Sequence, residues 1–221
     1  MTAVSGRAAS STASSAPAAP SASSSSSASA RRTPYDAASL LDVAVRVFNE
    51  RGYDGTSMED LARAAGISKS SFYHHVDGKE ALLAAACDRA LSALAAIRDE
   101  PASRSGPAVV RFEHVLRRTA EALLAELPYV TLLLRVRGNT ATEKRALDRR
   151  RDFDRFAAGL VAKAVSDGDL RADIDPLLAT RLSFGMVNSV VEWYRPGRAA
   201  VAEVVDTAVA LAMRGLRSAP A

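Results

Sequence analysis

Cysteine is almost missing from this chain of 221 residues: Cys87 stands alone, so no intrachain disulfide can form and a reducing, cytoplasmic setting is expected. Aromatic residues make up 5% and include a single tryptophan, so the core must be built from aliphatic side chains. No run approaches the roughly eighteen consecutive apolar residues of a membrane span, and no membrane association is expected. Alternating β-branched stretches are absent as well. Ala, Leu and Arg are abundant instead, and a 3.6-residue apolar repeat recurs from Leu40 to Leu216, which predicts an all-α fold. Signatures of catalysis are lacking too: there is no Gly-rich phosphate loop, no nucleophile elbow and no HExxH. His74, His75 and His114 with Cys87 have no metal spacing, because adjacent helical histidines point about 100° apart. Neither an enzyme, a cofactor nor a metal is expected.

Residues 1–30 are almost wholly Ser, Ala and Pro, with one charged residue and no aromatic. Such a segment buries too little apolar surface to offset the entropy of ordering it, which predicts a disordered tail. It lacks the basic n-region and uninterrupted apolar h-region of a signal peptide. About 190 residues remain, enough for a small N-terminal module and a larger helical body.

The most informative stretch is SMEDLARAAGISKSSFYHHVDGKEALL, Ser57 to Leu83. Met58, Leu61, Ala62 and Ala65 recur at i, i+3, i+4, i+7, so they form one face of a short helix, which Ser57 and Asp60 are placed to cap. Gly66 stops that helix. Ser68 can cap a second one at once, with Ile67 before the cap and Phe72 inside forming a hydrophobic staple. Two helices joined by so tight a turn cross steeply, as in a DNA-binding helix-turn-helix. The second helix, Lys69 to His75, carries no acid, and apart from Phe72 it holds only hydrogen-bonding residues, which suits a groove better than a core. Asp77 with Glu80 fits a third cap, and Lys79 in the following first turn suits a phosphate.

The whole run resembles the DNA-binding signature of the TetR family of bacterial regulators, in which a Thr-Ser pair, here Thr56 and Ser57, opens the first helix of the motif. Departures are few: Val76 stands where an aromatic is commoner, and Gly78 where a small polar residue or proline is common. The resemblance implies a ligand-responsive transcriptional regulator, a repressor released from a palindromic operator in double-stranded DNA by a small-molecule effector. It implies a three-helix DNA-binding domain over 31–78, a connecting helix over 79–100, and a ligand-binding and dimerisation domain over 101–221, about nine helices in all. The DNA-facing set is then Ser68, Lys69, Ser70, Ser71, Tyr73 and His74 on the recognition helix, with His75 packing inward. Thr56, Ser57 and Lys79 would hold phosphates, and Arg31 with Arg32 would form a basic arm on the backbone or in the minor groove.

Thr33 is placed to cap a first helix with Pro34 at its first position, and Leu41, Ala44, Val45 and Phe48 form its stripe. The connecting helix runs from Lys79 to about Arg98, and Cys87 on it reads as a small buried hydrophobe. Pro101 to Pro107, with two prolines and a glycine, reads as a loop. A helix follows over Ala108 to Leu127, then a short one from Tyr129 to Arg137, then a long charged one to Ser166. Asp175 and Pro176 open the penultimate helix, and Arg195-Pro196-Gly197 closes it. The apolar face of the last two helices is wider than one protomer needs, and Gly185 and Ser189 allow close approach, so residues 175–217 are expected to form a homodimer.

Charge is unevenly placed. Residues 31–102 hold nine Lys/Arg against eleven Asp/Glu, while residues 103–163 hold thirteen against seven. The excess base therefore lies behind the DNA-binding module, as a solvated face or as a site for an anionic effector. The stretch LLATRLSFGMVNSVVEWYRPG is similar to a TetR subgroup in which Trp-Tyr-Arg-Pro-Gly closes the penultimate helix and some members sense acyl-coenzyme A thioesters. The effector's apolar part is then expected among Phe112, Leu116, Leu133, Phe156, Leu160 and Met186, with Trp193 at the edge. The competing class, a helical interaction or membrane-surface protein, rests only on the basic middle segment.

Overall fold

The computed structural model describes residues 36–217. Among them are α1 (Ala37–Arg51), α2 (Met58–Ala65), α3 (Lys69–Tyr73), α4 (Lys79–Asp99), α5 (Pro101–Arg104) and α6 (Ala108–Ala125). There follow α7 (Leu127–Arg135), α8 (Ala141–Ser166), α9 (Pro176–Asn188), α10 (Val190–Trp193) and α11 (Val201–Leu216). The one β feature of the described residues is an isolated bridge between Leu170 and Arg217. The all-α expectation holds, with eleven helices against about nine.

The extra segments have local causes. Pro101 in the first turn starts α5 inside the expected loop, and the buried Ser103 hydroxyl donates to Ile97 O at 2.6 Å, tying that turn to the end of α4. Ser189 divides α9 from α10 by donating its hydroxyl to Met186 O at 2.7 Å, a side-chain bond that competes with the helical ladder. Pro128 lies in the first turn of α7 rather than ending α6, so the earlier helix stops at Ala125. At the other end Asp36, not Thr33, caps α1: Ser39 N–H donates to Asp36 Oδ1 at 2.8 Å and Asp36 N–H to Ser39 Oγ at 3.2 Å. Thr33, Pro34, Arg31, Arg32 and the expected tail lie outside the described residues.

Two apolar clusters hold the helices. One gathers Leu40, Val45 and Phe48 of α1, Leu61 of α2, Phe72 of α3 and Leu83 of α4, each leucine- or phenylalanine-sized burial stabilising by about 1.5–3 kcal/mol. Tyr129, Leu132 and Leu133 of α7 and Ala146 of α8 belong to the same cluster. The division expected between a three-helix module and the rest is therefore not a packing boundary. The second cluster joins Phe112 and Leu116 of α6, Phe153 and Val161 of α8, Val187 of α9 and Val209 of α11. Leu94 of α4 and Val130 of α7 pack against both.

Candidate DNA interface and effector domain

The reading helix is placed by short-range chemistry. Ser57 Oγ accepts from Asp60 N–H at 3.2 Å and Asp60 Oδ2 accepts from Ser57 N–H at 3.0 Å, so two orphan donors at the start of α2 are satisfied reciprocally. The Ser57 hydroxyl, donating to Asp60 Oδ2 at 2.6 Å, and then the Ser57 N–H hold the Asp60 carboxyl below the usual carboxylate range. Gly66 ends α2 in the left-handed region at φ 69, where a Cβ would be strained. Ser68 Oγ then accepts from Ser71 N–H at 3.1 Å, and half-buried Ile67 packs against the apolar cluster in which Phe72 is fully buried, as a staple requires.

This geometry turns a polar, acid-free surface outward. Lys69, Ser70, His74 and the cap Ser68 are exposed, Tyr73 is 49% exposed, and Ser71 is half-buried. His75, expected to pack inward, is exposed as well: α3 ends at Tyr73, and His75 N–H turns to Phe72 O at 3.1 Å, a tighter bond than the helical ladder makes.

The phosphate set is rearranged. Thr56 is only 2% exposed and donates Oγ1 to Gly52 O at 2.7 Å, so its hydroxyl locks the turn after α1 instead of facing a phosphate. Ser57 is exposed, with its hydroxyl engaged by Asp60. Lys79 is half-buried: its ammonium donates to Tyr53 O at 3.0 Å and stands 4.3 Å from the Tyr53 ring centroid. Asp77 does not cap α4. Gly78 occupies that position with no side-chain bond, and Glu80 accepts from Thr142 Oγ1 at 2.8 Å across to α8.

Behind the module, the basic surplus is largely consumed in ion pairs. Arg104 pairs with Asp99, Arg117 with Asp206, Arg149 with Asp88, Arg151 with Asp148 and Arg155 with Asp152. Arg118 holds both Glu100 and Glu121. Exposed pairs of this kind contribute little stability individually. Cys87 lies in the core, where burial pushes its thiol up to about 11.

The residues expected around an effector are not brought together. Phe112, Leu116 and Leu160 are packed within the second cluster, and Phe156 lies at its edge under the Arg98 guanidinium, 5.2 Å from the ring centroid. Met186 lines an open apolar groove of about 430 Å³ between α9 and α11, while Trp193 is 55% exposed. Leu133 alone of the set borders a small, partly open cavity between α4, α6, α7, α8 and α9. Sequence reasoning held Arg150 within the basic surplus but missed Asn188 beside it, since no spacing links two residues brought together only by the packing of α8 and α9. Among the described residues no three His, Cys, Asp or Glu side chains are grouped to hold a metal, and no helix is long and apolar enough to cross a membrane.

A capped helix pair that projects an acid-free polar helix, backed by a larger helical body with an exposed apolar end face, defines a helix-turn-helix regulator. The chain belongs to the TetR family: the family model for bacterial regulatory proteins, tetR family, matches residues 40–86, and that for the tetracyclin repressor-like C-terminal domain matches residues 105–216. It is a DNA-binding transcriptional regulator. The HTH-type transcriptional repressor KstR2 of Rhodococcus jostii (strain RHA1) is 31% identical over 180 residues, 80% of this chain and 86% of that protein. The solved structure of SCO3833, a TetR-family member from Streptomyces coelicolor A3, is 59% identical with a TM-score of 0.78, covering 85% of this chain and 94% of its own. AibR, solved with isovaleryl coenzyme A and operator DNA, shares the fold at 24% identity and a TM-score of 0.67, covering 79% of this chain and 96% of its own.

Proposed function

We propose that the protein is a cytoplasmic repressor that binds a palindromic operator as a homodimer and is released by a small-molecule effector of the anionic acyl thioester class. The observation that carries the DNA reading is the outward surface of α3 and the turn that follows it, where Lys69, Ser70, Tyr73, His74 and His75 stand exposed with no acid among them. One such face reads one half-site. A palindrome needs two, set about 34–36 Å apart by two-fold symmetry.

The symmetry partner has an obvious seat. Leu182 is 66% and Leu211 60% exposed beside the open groove of α9 and α11, a face whose burial against a second copy removes apolar surface from water. Residues 175–217 are the proposed interface, residues 31–78 the reading head, 79–100 the connector and 101–221 the effector and dimer domain. Support for the repressor sense comes from KstR2, a repressor by name, and support for the effector class from AibR, whose similar fold holds isovaleryl coenzyme A and DNA.

Selection of duplexes from a randomised pool by the purified protein tests this reading. The expected product is one palindrome, bound with steep salt dependence and released by isovaleryl coenzyme A but not by neutral drugs. Binding to all duplexes alike would sink the operator assignment, and release by neutral compounds alone would sink the anionic effector.

A further inference from the structure

A protein that binds DNA needs positive charge beside the duplex, and this reading head has little to offer. Residues 31–102 hold nine Lys/Arg against eleven Asp/Glu. Arg46 pairs with Glu50, Arg51 with Asp60 and Arg63 with Glu59, while the Lys79 ammonium is spent on Tyr53 O. Of the described cations on α1, α2, α3 and the turns between them, Lys69 alone has no carboxylate partner. The attraction for a polyanion must come from elsewhere in the chain.

The body carries it in one place. Within residues 103–163, the exposed cations that pair with no carboxylate among the described residues are Arg135, Arg137, Lys144 and Arg145. All four lie on the end of α7, the turn after it and the start of α8. Their bonds, where they make any, go to neutral oxygens: Arg135 Nη1 donates to Asn49 O at 2.6 Å and Arg145 Nη2 to Thr142 Oγ1 at 2.9 Å. The side chains of Arg137 and Lys144 make none. Glu143, which adjoins Lys144 in sequence, is 4% exposed, and its carboxylate is met by three backbone N–H groups.

Packing sets this patch against the reading head. Asn49 Nδ2 of α1 donates to Pro128 O of α7 at 2.8 Å. The turn after α1 and the turn after α7 face each other across an open groove of about 480 Å³, with Arg51 and Asp54 on one wall and Arg135, Arg137 and Asn139 on the other. Thr142 Oγ1 donates to Glu80 Oε1 at 2.8 Å, which joins the first turn of α8 to the first turn of α4. One wall of the groove leads into the Ser57 cap of α2, and α4 begins directly after the turn that ends the reading helix. Helix starts of this kind are where phosphates lie. The four cations therefore stand beside both starts, but outside the pair of helices that reads bases.

We propose that Arg137 and Lys144, with Arg135 and Arg145 beside them, bind the phosphates of the duplex just outside each half-site, so that the effector and dimer domain is itself a DNA-contacting surface. The proposal rests on the reading of the chain as an operator-binding dimer and adds a second contact to it. Exposed cations spread over a surface hold a small anion weakly, because salt screens each of them within about 10 Å. A polyanion meets them together and releases counterions for every phosphate neutralised. Such a contact carries no sequence information: it lengthens the occupied site and strengthens binding to all flanking sequences alike.

The test uses the full-length protein and two duplexes, the palindrome selected from the randomised pool trimmed at its ends, and the same palindrome with a flank of about one helical turn on each side. Fluorescence anisotropy reads affinity across a salt series. Arg137→Gln combined with Lys144→Gln is expected to lower the salt slope on the flanked duplex by about one unit per lost phosphate contact, to weaken binding there about fivefold, and to leave the trimmed duplex within about twofold of wild type. Arg155→Gln combined with Lys163→Gln removes the same charge from exposed, acid-paired positions farther along α8, and is expected to match wild type on both duplexes. Should the first variant lose helical circular dichroism, hydroxyl-radical footprinting of the wild type decides, with protection expected beyond the ends of the palindrome.

An unchanged salt slope would return the patch to solvent, an equal loss on both duplexes would place these residues inside the half-site, and a loss matched by the Arg155 and Lys163 variant would reduce the effect to net charge. Each of these overturns the proposal, as does a footprint that stops at the palindrome. If wild type selects no palindrome, the operator reading fails by itself, and the salt slopes of the same variants on an unselected duplex of similar length still decide whether the patch binds phosphates.

Discussion

Tyr129 of α7 donates its phenolic hydrogen to the Asp42 carboxylate of α1. Arg89 of α4 donates to the same hydroxyl at 3.1 Å, lies 4.1 Å from the ring centroid, and grips Glu126 through Nε at 2.7 Å. Burial first, and then the bond to Asp42, push this phenol up to about 12. Its folded value lies above the ordinary 10, so it contributes stability below pH 10 and loses that contribution as pH rises toward 12. Tyr129→Phe is expected to cost about 1 kcal/mol, since Asp42 keeps access to water. Urea denaturation with an unchanged midpoint would show the cluster to be ornamental.

Glu143 supplies a second anchor. Its Oε2 accepts from the backbone N–H groups of Arg137, Gly138 and Asn139 at 3.0, 2.7 and 2.9 Å, closing the turn between α7 and α8. Glu143→Gln keeps the shape and gives up a charge-assisted acceptor, so a loss of about 1–3 kcal/mol is expected. Hydrogen exchange at those three amides should quicken in the variant. Protection equal to wild type would mean that the backbone holds the turn unaided.

At the DNA, Tyr73→Ala and His75→Ala are each expected to weaken operator binding by about 1–3 kcal/mol if they read bases, with helical content unchanged. Lys69→Ala should lower the salt slope by about one unit. Thr56→Val, by contrast, should reduce thermal stability and leave the salt slope alone, because the Thr56 hydroxyl bonds Gly52 O and not a phosphate. A lowered slope for Thr56→Val would return it to the DNA-facing set.

Leu182→Asp places a charge in the middle of the exposed face of α9. Sedimentation should show monomers, and operator affinity should collapse, since one reading head cannot span both half-sites. Gly185 is exposed with open space where a Cβ would project, so Gly185→Leu is expected to leave the protomer folded and to act on the pairing. An intact dimer for both variants would move the interface elsewhere.

Cys87, with its thiol raised to about 11 by burial in apolar surroundings, should resist thiol reagents at pH 8 in the folded protein and react on unfolding. Rapid labelling of the native protein would contradict the packing of α4 against α1.

Local chemistry was legible in the residues themselves. The Ser57–Asp60 and Ser68 caps, the Gly66 stop and the Ile67–Phe72 staple involve partners a few positions apart, so the reading helix and its polar face follow from spacing alone. Helical periodicity likewise shows which faces are apolar, and hence the broad end face of α9 and α11. Partners far apart in sequence had no such signature. Thr56, Lys79 and Glu80 were assigned to phosphates or caps because the side chain chemistry permits it. Packing then offered Gly52 O, Tyr53 O and Thr142 at better geometry. The effector residues show the same limit: periodicity marks Phe112, Leu116 and Leu160 as apolar and inward, but only the interdigitation of helices decides which inward groups fill space and which border a void. Arg150 beside Asn188, and α7 bonded to α1 through Asn49 and Asp42, join residues separated by tens of positions, and tertiary structure alone could bring them together.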